Sequence, residues 1–168
     1  MSKKKGSIQV IGYGNPGRQD DGLGPRFAQA LRDKGYEFPI SDPDQLTVED
    51  ALSFSDDTLV IFVDATKTLS STFTFEEVYP GTEHGLSSHS VSPESLLQLS
   101  DTVLGVKPRA YILAIKGYEF DDFEEALSPK AQKNLGDALA FFEHWLSSEH
   151  NTQSNATDYE IKGRIRHA

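Results

Sequence analysis

Leu59-Val60-Ile61-Phe62-Val63-Asp64 sets five apolar residues in succession and ends them with a carboxylate. A strand with one wet face alternates apolar and polar side chains, whereas a short unbroken apolar run marks a strand covered on both faces. Such a strand belongs in the middle of a mostly parallel sheet with helices above and below. An ionised Asp64 beside that run is costly unless it caps the following loop, is hydrogen-bonded, or holds a cation.

The flanking sequence supplies the other parts of such a sheet. On the N-terminal side, Ser7 to Gly12 reads as a short strand, and Leu23, Phe27, Ala30 and Leu31 recur at the spacing of an amphipathic helix that Gly35 closes. Phe38 to Asp44 reads as a loop, and Gln45 to Val48 as a short strand before a brief helix through Phe54. On the C-terminal side, Thr72 to Tyr79 reads as a strand and Pro80 to Ser90 as a polar loop. A helix then starts at Pro93 with Ser92 as its N-cap and Leu96, Leu99 and Val103 inward. Arg109 to Lys116 is a further strand, Glu119 to Glu125 an acidic loop, and Ser128 to about Ser147 the longest helix, with Ala131, Leu135, Ala138, Phe142 and Trp145 on one side. The expected fold class is α/β, a three-layer α/β/α single domain with a largely parallel twisted sheet over residues 7–149. A disordered basic start (1–6) and a polar tail (150–168) flank it.

Composition narrows the function. The 168 residues include 16 basic and 26 acidic side chains, for a net charge of −10. Six of the basic ones are Lys3, Lys4, Lys5, Lys162, Arg164 and Arg166; from Gly6 to Ile161, ten basic face 26 acidic side chains, a net of −16. That body repels phosphate backbones and anionic lipid, so neither nucleic acid nor a membrane is an expected partner, while a metal ion or a basic peptide suits it. The chain has no cysteine, which excludes disulfides, thiolate zinc sites and cysteine nucleophiles. Its longest apolar run, Leu59 to Val63, is too short to span a bilayer, and Met1-Ser-Lys-Lys-Lys-Gly6 lacks the apolar stretch of a signal peptide, so a cytoplasmic protein is expected.

In open α/β sheets ligands bind beyond the carboxyl ends of the strands, which singles out the turn after the first strand and Asp64. The turn, Gly12-Tyr-Gly14-Asn-Pro-Gly17-Arg-Gln-Asp20-Asp21-Gly22-Leu-Gly24, formally satisfies the G-x-G-x-x-G dinucleotide pattern. Asp20 and Asp21, however, stand where a pyrophosphate would meet free helix N–H groups, and would repel it. Asp20 reads as a helix N-cap, so Asp20→Asn is expected to leave stability near normal, asparagine capping as well as aspartate. Asp21 and His89 each have an equally plain reading when taken alone, a cap and a loop histidine. Together with Asp64 they fall on loops delivered to one sheet edge, and an Asp/Asp/His set suits nickel, zinc or iron better than calcium or magnesium.

These residues resemble the [NiFe]-hydrogenase maturation endopeptidase family. Its N-terminal signature stands here as Gly14-Asn15-Pro16-Gly17-Arg18-Gln19-Asp20-Asp21-Gly22-Leu23-Gly24. An aspartate at the end of an apolar strand is matched by Val60-Ile-Phe-Val-Asp64-Ala65, and a histidine ahead of a leucine-rich helix by Ser88-His89 and Leu96-Leu97. The resemblance implies a phosphorylase/hydrolase-like fold and a hydrolase that clips the C-terminal extension from a hydrogenase large-subunit precursor once nickel has been inserted. It implies Asp21, Asp64 and His89 as metal-contacting residues, with Asp21 or Asp64 as general base of an aspartic-type or metal-dependent endopeptidase. Nickel would be supplied by the precursor, with another divalent metal open in the free protein, and a monomer is the expected working form. Two positions depart from the family: Asp21 where a glutamate is common, and Asp44-Gln45-Leu46-Thr47 where many members have Asp-Gly-Gly-Thr.

Two other readings remain. Gly12-Tyr-Gly14-Asn-Pro-Gly17 also looks like the opening of bacterial peptidyl-tRNA hydrolases, but no histidine follows before His84 and the charge is wrong for a tRNA cleft. A nickel-dependent chaperone that binds the precursor without cutting it is the non-enzymatic alternative.

Overall fold

The computed structural model describes residues 7–81 and 91–151, with side chains through Ser148. Five strands form one sheet in the order β2-β1-β3-β5-β4, from β1 (Ser7–Gly12), β2 (Ile40–Ser41), β3 (Thr58–Thr66), β4 (Phe73–Val78) and β5 (Arg109–Lys116). The helices are α1 (Leu23–Asp33), α2 (Pro93–Leu99) and α3 (Pro129–Asn151). β3 is central and pairs in parallel with β1 and β5. β4 runs antiparallel at the edge. Only residues 67–72 separate it from β3, and a parallel return would need a crossover of about a dozen residues or more.

The unbroken apolar run of β3 is buried on both faces, as its sequence predicts. Ile61 and Val63 join a core with Phe27 and Leu31 of α1 and Phe142 and Trp145 of α3. Val60 and Phe62 face the other way, into a second core with Leu96 and Leu97 of α2 and Ala51 and Phe54. Phe27 and Phe142 meet edge-on at 5.4 Å between ring centroids, and Phe75 of β4 stacks on Tyr111 of β5 at 4.8 Å. Ala131, Leu135, Ala138, Phe142 and Trp145 are all buried, as the spacing along α3 requires. Among the described residues no helix is long and apolar enough to cross a membrane.

Three local expectations change. The short second strand is Ile40–Ser41 rather than residues 45–48, because Thr47 and Asp50 form a capping box that turns Val48–Ser53 into a 3-10 helix. α2 buries Leu96 and Leu97, whereas Val103 is 68% exposed. The cause is a π-turn at Ser100–Leu104, which shifts the phase of the following side chains before Gly105 ends it in the left-handed region. Finally, α3 continues past Ser147 to Asn151. Residues 1–6, 82–90 and 152–168, on which the expected basic start, most of the expected loop Pro80 to Ser90 and most of the expected tail fall, lie outside the described residues.

Candidate active site

The motif glycines let α1 rest directly on the ends of two strands. A Cβ at Gly24 would lie 2.4 Å from the Tyr13 carbonyl oxygen and 2.7 Å from that of Val63, and one at Gly12 would lie 2.1 Å from the Gly24 carbonyl. Gly14 has φ +137°, and a Cβ there would lie 2.1 Å from the Asp21 carbonyl, so both backbone conformation and space demand glycine. Close packing against the chain's own lead-in turn accounts for these glycines without a phosphate. Gln19–Gly22 forms a 3-10 turn between Gly17 and α1, with Asp20 and Asp21 in its first turn.

This packing places two carboxylates at the carboxyl end of the sheet. Asp21 accepts the Asn15 backbone N–H at 2.8 Å on Oδ2, while Asn15 Oδ1 accepts the Gly17 N–H at 2.9 Å. Asp64 lies in β3 opposite Ala114 of β5, one residue beyond the last β1–β3 pair, Gly12 and Val63. The Tyr13 N–H donates to the Val63 carbonyl at 3.2 Å, prolonging that ladder, and the Tyr13 hydroxyl donates to Asp64 Oδ2 at 3.0 Å. Burial pushes the Asp64 carboxyl up to about 6, and the negative charge of Asp21 adds to the rise, against the lowering effects of the Tyr13 hydroxyl and the Ala65 amide. The Tyr13 hydroxyl is itself driven far above its ordinary value by burial and then by the charge of Asp64 and their hydrogen bond. The charge of Asp21 thus reaches Asp64 at this end of the sheet. His89 lies outside the described residues, and among the described residues no three His, Cys, Asp or Glu side chains group as a metal site.

Asp20 behaves differently from the expected cap. α1 has no side-chain cap; its N-cap is Gly22. Asp20 is fully buried and reaches across to the segment after β5. Oδ2 accepts the Tyr118 N–H at 2.7 Å, the Glu119 N–H at 2.9 Å and the Ser128 hydroxyl at 2.7 Å; Oδ1 accepts the Ser128 N–H at 2.7 Å. Burial alone would raise its pKa, but these hydrogen bonds outweigh burial and hold it below the ordinary carboxylate value. Sequence reading missed both Ser128, which sits just ahead of α3, and Tyr13. Tyr13 becomes visible only once the β1–β3 register puts residue 13 beside residue 64.

The sequence matches no family model and no curated protein. Solved structures do match. The hydrogenase maturating endopeptidase HybD from E. coli is 17% identical with a TM-score of 0.64, the match covering 88% of this chain and 94% of that one. The fold is that of the hydrogenase maturation proteases. A [NiFe] hydrogenase maturation protease, HycI from Thermococcus kodakarensis KOD1, is 20% identical with a TM-score of 0.64 over 86% of this chain and 95% of that one. A hydrogenase 3 maturation protease is 15% identical with a TM-score of 0.62 over 83% and 90%. The match to each spans nearly the whole neighbour, so the α/β architecture of this chain is that of an entire maturation protease, with Asp21 and Asp64 at its sheet edge.

Proposed function

We propose that this chain is an endopeptidase that removes the C-terminal extension of a [NiFe]-hydrogenase large-subunit precursor after nickel insertion. The observation that carries the reading is Asp64: a carboxylate at the carboxyl end of the central strand, pushed up to about 6 and adjoining Asp21, within this fold. Two carboxylates close enough for one to raise the other gain from a cation that neutralises them, and a borderline metal already held by the precursor fits them together with the His89 imidazole. In this scheme Asp21, Asp64 and His89 contact the nickel that arrives as part of the substrate. Because the protease offers no thiolate, it does not compete for the metal with the precursor's own soft ligands.

Asp64 or Asp21 is the general base. Whichever carboxylate keeps an oxygen off the nickel takes a proton from water, which then attacks the scissile carbonyl; the proton passes to the leaving amine as the C–N bond breaks. Asp21 keeps Asp64 basic through its charge, and its own Oδ2 is fixed by the Asn15 amide. A cytoplasmic site of action belongs to this reading.

Incubating the purified chain with nickel-loaded and nickel-free precursor, followed by mass spectrometry, tests it. The expected outcome is shortening of the loaded precursor alone, and no shortening by His89→Ala at unchanged stability. A loaded precursor that binds but stays full-length would favour the chaperone reading instead. Calorimetry of the chain with nickel alone is expected to show weak binding; stoichiometric nickel retained through purification and lost in Asp64→Ala would mean that the enzyme owns its metal.

A further inference from the structure

Tyr13 is a bulky polar residue between two glycines that pack backbone against backbone, and its position is unusually constrained. Its N–H extends the β1–β3 ladder to Val63 at 3.2 Å, its carbonyl lies under Gly24 of α1, and its ring packs on the core formed by Phe62, Leu96 and Leu97. A hydroxyl on so fixed a frame has little freedom, and it donates to Asp64 Oδ2 at 3.0 Å. We propose that Tyr13 is a positioning residue: its hydroxyl occupies Oδ2 of Asp64, so that Asp64 meets the reacting group through Oδ1 alone.

The proposal rests on the peptidase reading and adds to it a residue outside the ligand set. A carboxylate free to turn can present either oxygen, or both together, to the reacting group. Tying one oxygen to a rigid donor removes that option and fixes the direction of the other. The hydroxyl reaches Asp64 from the residue that follows β1, the strand beside β3, so the arrangement depends on the register of β1 against β3.

Tyr13→Phe removes the hydroxyl and keeps the ring that fills the core. Processing of nickel-loaded precursor is expected to fall about tenfold to hundredfold in kcat with KM within about twofold, as for a misaimed catalytic group. In protein labelled at the aspartate carboxyl carbons, the Asp64 resonance, assigned by its loss in Asp64→Asn, is expected to move in Tyr13→Phe while the fold's other resonances hold. An unmoved Asp64 resonance overturns the proposal, as does an unchanged kcat or a loss confined to KM. If Tyr13→Phe does not fold, a fluorinated tyrosine at position 13 replaces it: the altered hydroxyl must move the Asp64 resonance, or the contact plays no part. A wild-type chain that leaves every loaded precursor intact defeats the peptidase reading, and the resonance then decides by itself whether Tyr13 holds Asp64.

Discussion

Asp20 and Asp64 are carboxylates enclosed near the same end of the sheet, and their surroundings drive them in opposite directions. Asp20 receives four hydrogen bonds from Tyr118, Glu119 and Ser128 and is held below the ordinary value. Asp64 has the Tyr13 hydroxyl and the Ala65 amide to favour its charge, faces the charge of Asp21, and rises to about 6. A buried carboxylate saturated by backbone donors is a fastener, because its charge is already spoken for. One left with few donors is available for a cation or a proton.

The strongest way to break this contrast is at the fastener. Asp20→Asn turns one acceptor oxygen into a donor facing N–H or O–H groups, and urea unfolding is expected to show a loss of about 3–5 kcal/mol. A loss below 1 kcal/mol would return Asp20 to the helix-cap role that its sequence suggests. Next comes Asp64→Asn, which should cut processing at least about a hundredfold while raising stability at neutral pH by up to about 3 kcal/mol in metal-free protein.

The pH dependence carries opposite signs at the two sites. Asp64 is raised from 3.8 to about 6, so the native state keeps its proton longer and stability declines as pH rises through that window. Asp64→Asn should flatten this decline. Asp20 is lowered, so its contribution is present above the ordinary value and fades as pH falls beneath it. Urea titrations of both variants across this range resolve the two slopes, and parallel slopes would erase the contrast.

Asp21→Asn is expected to abolish most processing at a stability loss of about 1 kcal/mol or less, since the asparagine oxygen can still accept the Asn15 N–H. It should also bring the Asp64 pKa down by removing a neighbouring charge. The smallest effect belongs to Phe123, 86% exposed at the tip of the segment that Asp20 fastens, with the Arg18 guanidinium 5.5 Å from its ring centroid. Phe123→Ser should change stability by no more than about 0.5 kcal/mol, because the backbone bonds to Asp20, not this ring, hold the segment.

Much of the molecule was legible in the sequence. The run Leu59 to Val63 announced a strand buried on both faces, and the periodicity of Ala131, Leu135, Ala138, Phe142 and Trp145 announced the inner side of α3, because burial on a regular element leaves a periodic imprint. The pairing of Asp21 with Asp64 followed from the rule that parallel strands deliver their carboxyl ends to one edge. Where local patterns misled, a short-range contact had overruled periodicity: the Thr47–Asp50 capping box displaced a strand, and the π-turn after Leu99 turned Val103 outward.

By itself, then, the sequence determined the central strand, the main helices and the faces they bury, and that Asp21 and Asp64 stand at the carboxyl ends of neighbouring strands. Only the tertiary structure decided which of two adjacent, chemically identical aspartates fastens the fold, and which tyrosine answers Asp64. Composition and spacing describe a residue's own element, whereas the partners of Asp20 lie about a hundred positions away and Tyr13 meets Asp64 across a strand pair. A carboxylate's charge and reactivity are set by donors brought to it through space, and sheet register and chain crossing, which no local pattern encodes, bring them.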